Sequence, residues 1–287
     1  MTNPVVERLR RHGLRPRKDL GQHFLVEPGV LTRLVQLIAP APGTVVLELG
    51  AGVGVLTERL LDAGARVVAV EIDAALADVL RAELGDRDAF TLMHMDLAAL
   101  DVAAMRRQLG ISHLKLAGNL PYQLTSTVLF GLFTLEDHLQ DAVFMVQREV
   151  AERIAGTHGS RNYGILSVLL QTYYDIEIAA RVKAGAFLPP PRVESAILRL
   201  VPRSGGPALP WADHARYVRM VRHVFNERRK TLRNTLKKFY GLDSSALVDC
   251  ERASAIDLGR RPESLSVVEF VRLLHALPAS TDSGVEV

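Results

Sequence analysis

The segment Val46-Leu47-Glu48-Leu49-Gly50-Ala51-Gly52-Val53-Gly54 constrains this chain more than any other stretch of it. It reads as a short strand running into a glycine-rich turn, with an amphipathic helix from about Val55 to Ala63 behind it. Gly50 and Gly52 allow backbone angles closed to other residues and let a ligand approach the main chain closely. A second strand, Arg66–Glu71, ends in Val70-Glu71-Ile72-Asp73. Glu71 therefore stands roughly 20 residues beyond the first glycine, where an acidic side chain can accept hydrogen bonds from both hydroxyls of a ribose. A glycine turn alone is a common loop. Joined to a correctly spaced acid, it points to a nucleotide-type cofactor.

The same alternation continues along the chain. A helix pattern covers Ala74–Glu83, and strand patterns recur at Phe90–Met93, Leu114–Ala117, Ala142–Val146, Ile176–Val182 and Glu194–Val201. Strand–helix–strand order predicts an α/β fold, a Rossmann-like parallel sheet with helices on both faces. The last two strands follow closely, which predicts an antiparallel hairpin at one edge. A break at Pro202–Pro210 contains Ser204-Gly205-Gly206-Pro207, a linker composition. Beyond it Tyr217, Val221, Val224, Leu232 and Leu236, and later Val267, Phe270, Val271 and Leu274, recur at helical spacing. The predicted organisation is a basic arm over 1–18, an α/β domain over 19–205, a small all-helical domain over 208–276 and a disordered tail over 277–287.

Charge is informative through its distribution. The net value is only +3, yet Arg8 to Lys18 holds six basic residues and no acid, and Arg216 to Lys238 holds nine against Glu227 alone. Clustered positive charge is what a polyphosphate partner responds to. The run Arg228-Arg229-Lys230-Thr231-Leu232-Arg233 reads either as a solvated helix face or as a phosphate-tracking surface, and the scarcity of acids favours the second. The N-terminal arm has the same bias, with RNA contact and simple disorder both open. The single cysteine, Cys250, excludes an intrachain disulfide. No apolar run approaches the roughly 20 residues of a transmembrane helix. A cytoplasmic protein with no membrane partner is expected.

The third glycine comes one residue too early for the dinucleotide fingerprint G-x-G-x-x-G, which argues against a nicotinamide oxidoreductase. After the third strand, Asp96 stands where it can accept a hydrogen bond from an adenine amino group, or merely cap the next helix. The fourth strand leads into Asn119-Leu120-Pro121-Tyr122. An adenine N6 lone pair is delocalised into the ring, so the nitrogen is a poor nucleophile. Two acceptors taking its N–H bonds, the Asn119 side-chain oxygen and the Leu120 carbonyl, would favour a more tetrahedral nitrogen. Pro121 stiffens the loop, and Tyr122 offers a stacking face. The plainer reading is a turn with a buried tyrosine. No His, Cys and carboxylate cluster has metal-ligand spacing, so no metal is expected.

Taken together, Gly21-Gln22-His23-Phe24-Leu25, the E-L-G-A-G-V-G turn, Val70-Glu71-Ile72-Asp73, Asn119-Leu120-Pro121-Tyr122, Gln147-Arg148-Glu149-Val150-Ala151-Glu152-Arg153, Phe187-Leu188-Pro189-Pro190-Pro191-Arg192-Val193-Glu194-Ser195 and Arg228-Arg229-Lys230-Thr231-Leu232-Arg233-Asn234 carry a specific resemblance. The chain resembles the small-subunit rRNA adenine-N6,N6-dimethyltransferases, the ribosomal RNA small subunit methyltransferase A family. The resemblance implies a class I methyltransferase sheet and S-adenosyl-L-methionine as cofactor. It implies a reaction on two adjacent adenines in the 3′-terminal hairpin loop of small-subunit rRNA, within immature small subunits. It assigns cofactor contacts to His23, Leu25, Gly50, Glu71, Asp96 and Asn119, and gives Phe187 the task of sandwiching the target base with Tyr122. His23 stands where the family more often has Asn, Leu97 where it often has Ala, and Glu227 where Gln is usual. Two rivals share the scaffold: a resistance-type dimethyltransferase of large-subunit rRNA, and a non-catalytic assembly factor. A monomer is expected, with Arg228, Arg229, Lys230 and Arg233 on RNA.

Overall fold

A computed structural model describes residues 3–17 and 20–278. Its strands are β1 (Phe24–Leu25), β2 (Val45–Leu49), β3 (Arg66–Glu71), β4 (Phe90–His94), β5 (Leu114–Asn119), β6 (Leu139–Gln147), β7 (Tyr174–Val182), β8 (Phe187–Leu188) and β9 (Ser195–Pro202). Its helices are α1 (Pro4–Arg11), α2 (Pro28–Ile38), α3 (Val55–Asp62), α4 (Ala74–Leu84), α5 (Val102–Gln108), α6 (Thr125–Gly131), α7 (Arg148–Ile154), α8 (Ile165–Tyr173), α9 (His214–Asn226), α10 (Leu232–Tyr240), α11 (Ser244–Ser254) and α12 (Val267–Ala276). Lys18 and the stretch from 279, where most of the expected tail falls, lie outside the described residues.

Seven strands form one sheet in the order β4-β3-β2-β5-β6-β9-β7. The pairs β2–β3, β3–β4, β2–β5 and β5–β6 are parallel, and β6–β9 is antiparallel. The expected parallel sheet is therefore present, and its last two strands, β7 and β9, lie side by side at one edge where the antiparallel hairpin was expected. The chain leaves β2 toward β3 and β4, then returns to build β5 and β6 on the other side. Strand order thus reverses between β2 and β5, and a crevice opens beyond their carboxyl ends, the usual ligand position in such sheets. Burial follows from helices on both faces: Val46 to Leu49 and Val67 to Glu71 are buried without alternation. A separate two-stranded ladder pairs β1 with β8, Phe24 opposite Leu188 and Leu25 opposite Phe187.

The chain divides into two compact units. The first contains the chain up to Ala151 together with Glu177–Pro202. The second contains Glu152–Ile176 and the chain from Arg203 onward, so it takes in a segment inside the 19–205 stretch as well as α9–α12. Within that second unit the Thr172 and Tyr217 hydroxyls share a 3.1 Å hydrogen bond, and the Tyr173 and Trp211 rings stack at 4.0 Å. Such contacts draw the segment to the helices that follow the linker. In the first unit the basic N-terminal stretch folds as α1, with Pro4 in its first turn and Asn3 as its cap. No helix among the described residues is long and apolar enough to cross a membrane.

A candidate cofactor and adenine site

In the first unit a cleft of about 680 Å³, open to solvent, lies along the carboxyl ends of β2, β3 and β5. It is lined by Gln22, His23, Gly50, Gly52, Glu71 and Ile72, and by the Asn119–Tyr122 loop, among others. Gly52 carries a positive φ of 60°, and a Cβ there would come within 3.1 Å of the Phe24 ring, so a side chain at this point of the turn would be strained.

Glu71 is buried at the tip of β3. Its Oε2 accepts from the Gly52 N–H (2.8 Å), and its Oε1 from the Ile72 and Asp73 N–H groups (3.0 Å each). Burial pushes its carboxyl above the usual carboxylate range, and these three donors pull the other way. A carboxylate offers about four acceptor directions. Three are taken, so one ribose hydroxyl can be received as the side chain stands. A second would compete with the Gly52 N–H.

Asn119 ends β5. Its Nδ2 donates to the His23 carbonyl at 2.7 Å. A carbonyl only accepts, so this contact fixes the amide orientation and leaves Oδ1 free to accept from a ligand. The Leu120 N–H donates to the Met145 carbonyl at 3.1 Å. Pro121 has φ −55°, so the loop between these anchors is held on both sides. The Tyr122 hydroxyl shares a 2.8 Å hydrogen bond with Ser195 Oγ, and Ser195 is fully buried at the start of β9. Burial raises the phenol pKa, with the Ser195 hydrogen bond pulling the other way, so Tyr122 stays neutral. Its ring lies 5.9 Å from the His23 ring at 26°. His23 Nδ1 lies 2.7 Å from the Pro189 carbonyl, so Nδ1 carries a proton and donates it.

The other expected residues are placed differently. Phe187 is 3% exposed, packs in the apolar core and is not among the residues that line the cleft. The ring beside Tyr122 is that of His23. Leu25, paired with Phe187, lines an adjoining cavity with Glu48, Gly50 and Asn119. Asp96 is exposed at the end of β4, where its Oδ1 caps the following turn by accepting from the Ala98 N–H (2.9 Å). In the second unit, Arg229 and Lys230 are exposed in the turn between α9 and α10. Arg228 donates to the Arg161 and Tyr163 carbonyls, and Arg233 pairs with Glu251 at 2.5 Å, so part of their donor capacity is spent within the unit. Among the described residues no group of three or more His, Cys, Asp or Glu could hold a metal ion.

Two contributors were not singled out from sequence. Gln22 donates from Nε2 to Asp73 Oδ2 (2.9 Å) and accepts at Oε1 from the Arg17 N–H (2.8 Å), which pins the 20–23 loop to the rim of the cleft. Glu48 sits on β2 beneath the glycine turn, 2% exposed, with its Oε2 buried and unpartnered. Burial lifts its pKa to about 8, and the Glu71 carboxylate adds to the rise. A buried acid with a raised pKa loses stability for the fold as pH climbs from the unfolded value near 4.5 to about 8. Glu48→Gln removes that loss. It should stabilise the ligand-free protein by a few kcal/mol at pH 8, on the order of 1.4 kcal/mol per pH unit of the window, and little at pH 5. Thermal melts at the two pH values check it. An equal change at both would refute the assignment.

The group that Glu48 lacks, a cation or donor in the adjoining cavity, and the acceptor left free on Glu71 suit a ligand with an amino-acid ammonium and a ribose. S-adenosylmethionine has both. The sequence model of the family described as ribosomal RNA adenine dimethylase matches residues 13–273. The chain is similar to the ribosomal RNA small subunit methyltransferase A of Anaeromyxobacter dehalogenans, 47% identical over 276 residues covering 94% of this chain and 96% of that one. It is 41% identical to the protein of the same name from Pseudomonas putida, over 92% of this chain and 95% of that one. Crystal structures of a dimethyladenosine transferase from Plasmodium falciparum (TM-score 0.71, 22% identity, 88% of this chain and 96% of that one) and of the 23S rRNA methyltransferase ErmE (TM-score 0.68, 24% identity, 88% and 99%) share the fold.

Proposed function

The chain belongs to the ribosomal RNA adenine dimethylase family, and from that premise we propose that it dimethylates the N6 amino groups of two adjacent adenines in the 3′-terminal hairpin loop of small-subunit rRNA. Family membership makes it an rRNA adenine dimethyltransferase that uses S-adenosylmethionine. The finer reading adds the target loop, the immature small subunit as substrate, a monomeric enzyme and a cytoplasmic setting.

The observation that carries the reading is the fixed amide of Asn119. With Nδ2 spent on the His23 carbonyl, Oδ1 is left to accept from a ligand, and Asn119, Leu120 and Tyr122 line the cleft together with Gly50 and Gly52 of the cofactor turn. Two acceptors taking the two N–H bonds of an adenine amine draw electron density back onto the nitrogen. The bound cofactor supplies a methyl group already activated by its sulfonium charge. The protein contributes orientation, which is a large share of the barrier in such a transfer. Tyr122, tied down by Ser195, gives the base a face to stack on. The adenine must leave its helix to reach this cleft, which favours an unpaired loop as substrate.

Incubation with labelled S-adenosylmethionine and unmethylated small subunits tests the proposal, with RNA fragments read by mass. Two adjacent N6,N6-dimethyladenosines are expected. Transfer to large-subunit rRNA instead would overturn it in favour of the resistance-type reading.

RNA contact is assigned to the basic turn of the second unit. Arg229→Ala with Lys230→Ala should weaken subunit binding about tenfold or more and flatten its salt dependence by about one per lost phosphate contact. Cofactor affinity should not change. An unaltered salt slope would remove these two residues from the interface.

A further inference from the structure

The basic N-terminal stretch does not behave as a free arm. The apolar side of α1, Val5 and Leu9, joins Phe24, Val53, Leu76 and Val79 in a small core of its own. Asn3 accepts from the Val5 N–H (3.0 Å) and donates to the Val26 carbonyl (2.5 Å). Arg8, an arginine near the chain terminus, keeps only 7% of its side chain exposed. Its guanidinium donates to the Val53 carbonyl at 2.8 Å and pairs with Glu58 at 2.9 Å and with Glu83 at 3.5 Å. Arg11 and His12 reach the same Glu83 carboxylate, at 2.7 and 2.9 Å.

The position of that guanidinium matters more than the number of its partners. Val53 lies between Gly52, whose N–H holds Glu71, and Gly54, which opens α3. A Cβ on Gly54 would come within 2.7 Å of Leu80 and 3.4 Å of Arg8 Nη1, so the glycine makes room for this packing. Glu58 stands in the first turn of α3 and Glu83 in the last turn of α4. Arg8 therefore ties the peptide of the cofactor turn to the two helices that follow β2 and β3. Val5 also forms part of the wall of the cavity that holds Glu48, Gly50 and Asn119. Burying a guanidinium costs several kcal/mol in desolvation unless its partners return it. A helix that only needed to adhere could have used its apolar seam and surface pairs.

We propose that α1 is a strap for the cofactor and that Arg8 is its positioning residue, holding the Gly52–Gly54 turn in the shape that receives S-adenosylmethionine. The proposal rests on the cofactor reading of the cleft. If strap and cofactor share the turn, docking of α1 and cofactor binding strengthen one another by the same factor. Arg10 and Arg15 remain exposed and stand outside this cluster.

The test uses the full chain. Amide hydrogen exchange over residues 3–12 is followed with and without S-adenosylhomocysteine, and separately with small-subunit RNA. Calorimetry measures S-adenosylhomocysteine binding to wild type, Arg8→Met, Arg8→Lys and, as control, Arg10→Met. The product analogue should slow exchange across α1 several-fold. Arg8→Met should weaken its binding about tenfold, Arg8→Lys less, and Arg10→Met not at all. With cofactor saturating, kcat of Arg8→Met should return close to wild type, with the loss carried by the cofactor KM. Should Arg8→Met fail to fold, wild-type exchange still decides. Tight analogue binding with unchanged α1 exchange, or protection by RNA alone, would overturn the strap. Failure of wild type to bind the analogue would overturn the cofactor reading and the strap with it.

Discussion

Asn119→Ala is expected to lower kcat/KM for methyl transfer by about 10²–10³-fold while subunit binding is kept, since loss of one preorganised polar contact to the reacting group costs that much. The side chain does two jobs. Its Nδ2 fastens β5 to the 20–23 loop through the His23 carbonyl, and in the proposed complex its Oδ1 accepts from the amine. Removing it leaves the nitrogen with the Leu120 carbonyl as its only oriented acceptor. Asn119→Asp separates the two jobs. It keeps an acceptor but sets an oxygen against the His23 carbonyl, so the loop should shift and activity should fall comparably. Binding of unmethylated subunits, measured by sedimentation, should match wild type for Asn119→Ala. Equal losses of binding and catalysis would mean that Asn119 holds the fold of the RNA surface and does not act on the amine.

Glu71→Ala should weaken S-adenosylhomocysteine binding about 10²-fold and change the stability of the ligand-free protein by no more than about 1 kcal/mol. Two opposing effects make the second figure small. The substitution strands the Gly52, Ile72 and Asp73 N–H groups, which is unfavourable. It also removes a buried carboxylate whose raised pKa marks a net penalty on its charge. No such cancellation protects affinity, because the ribose loses its acceptor and the turn loses its tether to Gly52 together. Glu71→Gln should be no milder, since its amide nitrogen faces backbone donors whichever way it turns. Calorimetry paired with thermal melts reads both quantities. A stability loss of several kcal/mol with affinity little changed would make Glu71 a structural residue alone.

The parallel sheet could be read from sequence because its strands are apolar on both faces. β3 has the predicted bounds, and β4 runs one residue further. The apolar run predicts a strand over Ala142–Val146, whereas β6 spans Leu139–Gln147. Asp141 interrupts the apolar run, but Lys115 (3.1 Å) and Arg199 (3.6 Å) neutralise it from β5 and β9, and no local pattern reveals partners so distant in sequence. β1 and β8 are two residues each, too short for periodicity to register. α1 was hidden by its charges, although Asn3-Pro4 is a helix start.

At the site, the glycine turn, Glu71 and the Asn119–Tyr122 loop were legible because backbone demands and chemistry select the residue type locally. Phe187 was assigned by resemblance, and its burial opposite Leu25 follows from a ladder that spans the chain. Gln22 and Glu48 act through contacts closed only in three dimensions. Asp96 combined two readings, and the cap is the one the geometry displays.

The antiparallel direction of β9 has a consequence for how the catalytic rim comes into being. Ser195 opens that strand opposite Gln147, where β6 finishes, so a chain segment made late is inserted at the edge where the earlier strands end. Until it arrives, the tyrosine hydroxyl has no serine to rest on and His23 has no Pro189 carbonyl. The two braces of the base site, the Ser195 hydroxyl and the Pro189 carbonyl, thus come from sequence that follows every strand whose end lines the cofactor cleft, so the rim that would grip the base is closed by the last-made part of the first unit.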